Sequence, residues 1–207
     1  MAVPIGTIFA LWSIRKELKI VITAFLLVLL LPVIAVIILT QTGLNIVSDK
    51  LATVDTTTNT VEIHDPASGT VVTTINSPMV WPVFGVITLE FGKPHLPYQL
   101  FHTGIDIANS EGKIGDDITP FMDGTVTYAG QTAIGYGKHV IIDHGNKVTS
   151  LYGHLDKVLV YKGEKVKIGD VIGKMGTTGW STGPHLHFQI NVFGIPVNPR
   201  TFVGEPK

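Results

Sequence analysis

The stretch Gly183-Pro184-His185-Leu186-His187-Phe188-Gln189-Ile190 decides the reading of this chain. Its residues are β-formers around two histidines spaced two apart. On a strand, side chains alternate between faces, so His185 and His187 point one way while Leu186, Phe188 and Ile190 point the other. A lone histidine is usually inert, but two imidazoles sharing one face beside Gly-Pro make the geometry of a site.

Two other segments can supply partners. His102-Thr-Gly-Ile-Asp106 offers an imidazole and a carboxylate four residues apart. A helix would bring these to one face, but Gly104 with the β-branched Ile105 and Ile107 favours a turn leading into a strand. Tyr152-Gly-His154-Leu155 adds a third histidine at a strand end. Each motif is weak alone. Together, in a cysteine-free β region, they allow a zinc site of two His and one carboxylate with a fourth position open to water, which is the catalytic arrangement and not the closed structural one.

The surrounding sequence has one texture. Short β-prone runs separated by glycine recur at Gly124–Tyr128, His139–Asp143, Lys147–Tyr152, Lys157–Tyr161, Asp170–Gly173 and His185–Ile190. Such spacing predicts a compact, mainly antiparallel all-β domain, sheet- or sandwich-like. No long amphipathic helix is visible in it.

These motifs, in this order and spacing, resemble the lysostaphin/LytM-type zinc metalloendopeptidases that cut peptidoglycan peptides. The likeness extends to Trp81-Pro-Val-Phe-Gly85, Phe91-Gly92, Gly135-Tyr-Gly137, Asp143-His144-Gly145 and the run Gly163 to Gly173. It also takes in Gly179-Trp-Ser-Thr-Gly183 and Pro196-Val-Asn198-Pro199, and covers about residues 79–203. The resemblance implies the duplicated hybrid motif fold and one Zn2+ held by His102, Asp106 and His187. It implies His154 and His185 as the unligated catalytic pair, their order of action left open, and peptidoglycan peptides as substrate. Zinc brings the pKa of a bound water to about 7, and an imidazole titrating near 6.5 exchanges protons at working pH. The chain departs from the pattern at Lys93–Phe101, where His95 and the rim stand in place of the usual Arg and His-Pro, and at a longer loop from Ser110 to Asp117. His64, His139 and His144 are read as structural.

The N-terminal part has a different composition. The chain has 207 residues, 45% hydrophobic and only 15% charged, against about 25% charged in an ordinary soluble domain. The imbalance comes from Ile20 to Leu39 (IVITAFLLVLLLPVIAVIIL), which carries no charge. As a helix it would span about 30 Å, the thickness of a bilayer core. It exceeds a signal-peptide core and lacks a clear small-residue cleavage pattern after it, so a retained anchor is favoured over a cleaved leader. Arg15, Lys16 and Lys19 precede it, which by the positive-inside rule puts the N-terminus in the cytoplasm and the C-terminal bulk outside. Met1 to Ile14, with Trp12, is read either as lying along the membrane surface or as a loose leader.

The expected organisation is a cytoplasmic segment at 1–19, a single-pass transmembrane helix at 20–40, a polar stalk at 41–78 and a catalytic domain at 79–207. The stalk is rich in Thr, Ser, Asn and Asp, with a short hairpin expected around Asp65-Pro-Ala-Ser-Gly69 and no heptads. The formal charge of −1, from 15 basic and 16 acidic residues, argues against nucleic acid as a partner. Absence of cysteine excludes a disulfide scaffold, a thiol enzyme and a lipoprotein anchor. A lipoyl-type carrier, suggested by the Gly163–Gly173 pattern, needs a lysine at a hairpin tip, and Phe121-Met-Asp-Gly124 has none.

The expected function is therefore a membrane-anchored zinc endopeptidase acting on the wall outside the cytoplasm, with peptidoglycan, the membrane and envelope proteins as partners. The alternative is a catalytically silent domain of the same type that binds the wall or activates another hydrolase. Silent relatives lack several of the five residues, and this chain retains all of them.

Overall fold

The computed structural model describes residues 5–58, 60–94 and 100–205, with side chains from residue 16 onward. His95 and its neighbours 96–99 therefore lie outside the described residues, as do Met1–Pro4. The chain divides into two units, Met1–Thr40 and Gln41–Lys207. The first is helical. Helix α1 spans Ile5–Leu51 and includes Pro32. Within it, Lys16–Leu51 contains a stretch long and apolar enough to cross a membrane. Its leucines, isoleucines and valines from Leu18 to Leu39 are largely exposed, an apolar surface of the kind that needs a non-aqueous or protein covering.

The second unit begins with the last turns of α1, where Leu44 packs on the core and Ser48 and Leu51 are buried. These three residues lie four and three apart, one stripe of a helix, which is why the helix continues beyond the apolar run. Ser48 Oγ accepts a 2.9 Å hydrogen bond from the Asn198 N–H. The segment with the composition of a stalk then forms three antiparallel strands, β1 (Ala52–Asp55), β2 (Thr60–His64) and β3 (Val71–Ile75). A hairpin turn does fall at residues 65–70, where Asp65 Oδ1 accepts from the Ala67 and Ser68 N–H groups. Val61, Ile63 and Ile75 supply the buried face.

The remaining strands are β4 (Val86–Leu89), β5 (Ile105–Ala108), β6 (Asp117–Ile118), β7 (Gly124–Gln131), β8 (Lys138–Asp143) and β9 (Val148–Leu155). They continue with β10 (Lys157–Val158), β11 (Lys165–Val166), β12 (Gly173–Lys174), β13 (Leu186–Val192) and β14 (Ile195–Val197), before the short helix α2 (Arg200–Val203). The main sheet runs β11-β7-β8-β9-β13-β5-β4, with β14 folded back on β13 as a hairpin, and a small sheet runs β10-β12-β6. All pairings are antiparallel and the sheets do not close into a barrel. The domain is mainly β, as the glycine-punctuated runs predict. Two runs are shorter than expected: Leu159–Tyr161 and Asp170–Ile172 leave the ladder and are tied by single bonds, such as Leu159 N–H to Ile172 O at 3.0 Å.

The core explains the central strands. Leu186, Phe188, Ile190 and Val192 on β13 are fully buried with Tyr152, Phe121, Ile105 and Ile142. Each large apolar side chain buried this way contributes about 1.5–3 kcal/mol. Tyr152 is the one polar head in the group, and its hydroxyl accepts from the Phe121 N–H at 2.9 Å and meets Ser150 Oγ at 3.0 Å. Burial pushes the Tyr152 phenol well above its ordinary value, so it stays neutral. Tyr152→Phe leaves the buried Phe121 N–H without an acceptor and should cost about 1–3 kcal/mol. Equilibrium denaturation should show a lowered midpoint with unchanged slope; an unshifted midpoint would contradict this role.

Candidate metal centre

Strand pairing builds the site. His187 on β13 lies directly opposite Asp106 on β5 and opposite Gly153 on β9. His102 sits just before β5, where its N–H donates to Lys93 O at 3.0 Å and its carbonyl accepts from Gly92 N–H at 2.9 Å. Gly104 lets β5 approach β13 closely: a Cβ there would fall 2.3 Å from Phe188 O.

Three donor atoms converge. His102 Nε2 and His187 Nδ1 are 2.9 Å apart, and Asp106 Oδ1 lies 3.0 Å from the first and 2.9 Å from the second. All three residues are buried. Burial opposes ionisation of Asp106, but the adjacent His102 and His187 imidazoles hold its carboxyl well below the usual carboxylate range. Three acceptor atoms brought this close in a buried place repel unless a proton or a metal cation sits among them. Two nitrogens and one oxygen suit zinc, whose tetrahedral donors at about 2.0–2.1 Å from the metal stand about 3.3 Å from one another. The residues present therefore fit such an ion.

The backbone selects the donor atoms. His102 Nδ1 lies 3.3 Å from the Glu90 carbonyl, so its N–H points there and Nε2 faces the cluster. Glu90 is itself held by the Arg200 guanidinium at 2.6 and 3.1 Å, and this contact keeps its carboxyl below its ordinary range.

His154 and His185 flank the three donors, their rings 4.7 Å apart. His154 Nδ1 donates to Thr178 O at 2.7 Å and His185 Nδ1 to Gly183 O at 2.8 Å. Both Nε2 atoms are thereby left unprotonated in the neutral rings, and that of His185 lies 3.6 Å from Asp106 Oδ2. Burial, then the neighbouring His185, pushes His154 down to about 4, so it is uncharged near neutrality. His154 also has φ +60°, a left-handed conformation that costs a non-glycine residue of order 1–3 kcal/mol. Its N–H donates to Tyr136 O at 2.8 Å, and this bond with the Thr178 contact holds the strained residue in place.

All five residues singled out in the sequence line one pocket, together with Gly135, Tyr136 and Trp180. His139 and His144 lie elsewhere. His139 stacks on Tyr128 at 4.4 Å, and His144 bridges Ser150 Oγ at 2.7 Å and Asp123 O at 2.9 Å. His64 pairs with Thr53 Oγ1 in the small N-terminal sheet. In the sequence Tyr136 and Trp180 stand only within glycine motifs, and Thr178 carries no signal of its own. The loop bearing Tyr136 meets the 178–180 loop through Gly179, at φ +73°, where a Cβ would fall 2.3 Å from Gly135 O.

Residues 100–199 match the peptidase family M23. Over these residues the chain belongs to peptidase family M23. It is 42% identical over 120 residues to the DD-carboxypeptidase/endopeptidase Mpg of Neisseria meningitidis, covering 56% of this chain and 27% of that protein. It is 37% identical over 154 residues to the murein hydrolase activator NlpD of Salmonella dublin, covering 74% of this chain and 39% of that one. The chain thus spans well under half the length of these relatives. Among solved structures it is similar to a zinc-containing peptidase from Vibrio cholerae, with a TM-score of 0.56, 28% identity and coverage of 72% of this chain and 47% of that one.

Gly104→Ala should push β5 away from β13 and separate the donors. Overpacking of this kind costs about 1–3 kcal/mol. The expected result is a lower melting temperature together with weakened metal uptake; wild-type uptake would show that the close approach does not set the site.

Proposed function

We propose that this chain is a zinc-dependent endopeptidase that hydrolyses peptide bonds of peptidoglycan, held at the outer face of a membrane by α1. The observation that carries this reading is the convergence of His102 Nε2, Asp106 Oδ1 and His187 Nδ1 beside two further histidines in one pocket. Mpg, whose name describes an endopeptidase, supports it.

His102, Asp106 and His187 would hold the ion. Zinc bound there supplies Lewis-acid polarisation of a carbonyl and a water made acidic enough to attack at neutral pH. His154 and His185 are the proton carriers: each imidazole has its Nδ1–H fixed on a backbone carbonyl and Nε2 free to accept a proton and return it to the departing amine. Tyr136 and Trp180 form the rim against which a peptide would lie.

The organisation proposed with this function is a cytoplasmic segment at 1–19, a span at 20–40, a connecting segment at 41–78 and the catalytic domain at 79–207. Arg15, Lys16 and Lys19 before the span support an N-terminus inside and a catalytic domain outside the cytoplasm. Envelope proteins are proposed as additional partners.

A second reading is favoured by one specific observation, the similarity to a murein hydrolase activator over 74% of the chain. On that reading the domain binds the wall or stimulates another hydrolase and cuts nothing itself. The five retained residues support the enzymatic one.

The two separate in one set of assays on the full chain in detergent. The enzyme should hold about one zinc per chain and release soluble peptides from purified sacculi; chelation should stop release and added zinc restore it. His102→Ala and Asp106→Ala should lose the metal, whereas His154→Ala and His185→Ala should keep it and lose at least about 100-fold in rate. A wild-type chain that binds zinc yet releases no more than His185→Ala would sink the enzymatic reading and leave the activator.

A further inference from the structure

The strand face that carries His187 continues with Gln189 and then Asn191, two residues at a time. Gln189 is buried and its amide sits at a meeting point. Its Oε1 accepts from Thr103 Oγ1 at 2.6 Å and from the Tyr136 hydroxyl at 3.0 Å, and lies 3.4 Å from His187 Nε2. Its Nε2 donates to Asn191 Oδ1 at 2.7 Å. The orientation of the amide follows from the two hydroxyls. Among the described residues, neither Thr103 Oγ1 nor the Tyr136 hydroxyl has another acceptor, so both protons must go to the carbonyl oxygen.

We infer that Gln189 is the positioning residue for His187: its carbonyl fixes the imidazole as the Nε2–H tautomer and so turns Nδ1, with its lone pair, into the metal cluster. The geometry is specific. His187 Nδ1 is the atom 2.9 Å from both His102 Nε2 and Asp106 Oδ1, and among the described residues Nε2 on the other side of the ring meets only Gln189. A histidine that ligates through one nitrogen and donates from the other is oriented and made more basic by the acceptor it donates to. Here that acceptor is a neutral amide, itself held by Thr103 beside His102 and by Asn191 further along β13. The same oxygen anchors Tyr136, whose ring lies 5.3 Å from that of His187. One side chain thus sets both a ligand and part of the pocket wall.

The inference rests on reading the three donors as a zinc site, and its test separates the two. Zinc affinity of the full chain in detergent is measured by competition with a chromophoric chelator for wild type, Gln189→Leu and Gln189→Glu. Gln189→Leu removes the acceptor at similar volume and should bind zinc about 10–100-fold more weakly. Gln189→Glu keeps an acceptor in place and should bind at least as tightly as wild type, a rescue that a purely packing role would not give. Wild-type affinity in a folded Gln189→Leu, or equal losses in both variants, overturns the inference alone. A wild-type chain that takes up no zinc overturns the metal reading and the inference with it. If Gln189→Leu fails to fold, long-range 1H–15N correlation of the zinc-loaded wild type decides. A His187 ring protonated at Nε2 and metal-bound at Nδ1 supports the inference, and metal at Nε2 overturns it.

Discussion

The antiparallel register of β13 between β5 and β9 is the constraint from which the site follows. It sets His187 opposite Asp106 on one side and opposite Gly153, the neighbour of His154, on the other. A slip of one residue would exchange the faces of β13, sending the imidazoles into the core and Phe188 into the pocket. Burial of Leu186, Phe188, Ile190 and Val192 prevents that slip. The apolar face of the strand therefore holds the chemical face in place. Gly104 contributes at the same joint, because only a residue without a side chain lets the two strands meet where the donors must converge.

Around the donors the protein spends its polar groups on orientation. Backbone carbonyls of Glu90, Thr178 and Gly183 receive the Nδ1–H of His102, His154 and His185, and the Gln189 amide faces Nε2 of His187. The two candidate ligands thereby turn opposite ring atoms toward one point, Nε2 from His102 and Nδ1 from His187. The two flanking histidines keep Nε2 available for proton exchange. The left-handed backbone at His154 belongs to the same pattern, a local cost held by hydrogen bonds to Tyr136 and Thr178.

What the sequence showed and what it concealed divide by range. The shared face of His185 and His187 needs only the period of a strand, and the strand pattern needs only glycine spacing, so both were legible. Gln189 lies on the same face by the same rule and could have been found, but an uncharged amide draws no attention without its partners. The convergence of residue 102 with residue 187 depends on pairing across 85 positions, which local periodicity cannot supply; the family resemblance supplied it. Residues 41–78 had the composition of a linker, yet Val61-Glu62-Ile63-His64 alternates as a half-buried strand does, and the buried Val61 and Ile63 are what order that small sheet. The left-handed backbone at His154 was hidden because a glycine such as the neighbouring Gly153 adopts a positive φ most readily, whereas the histidine takes it.

On the proposed reading, the three buried donors form one metal centre. The most direct measurement is anomalous diffraction at the zinc edge from crystals of the chain grown with one equivalent of zinc. A single strong peak is expected about 2.0–2.1 Å from His102 Nε2, Asp106 Oδ1 and His187 Nδ1, with Gln189 on the far side of the His187 ring. An absence of anomalous density between these atoms, with zinc bound elsewhere or nowhere, would contradict it.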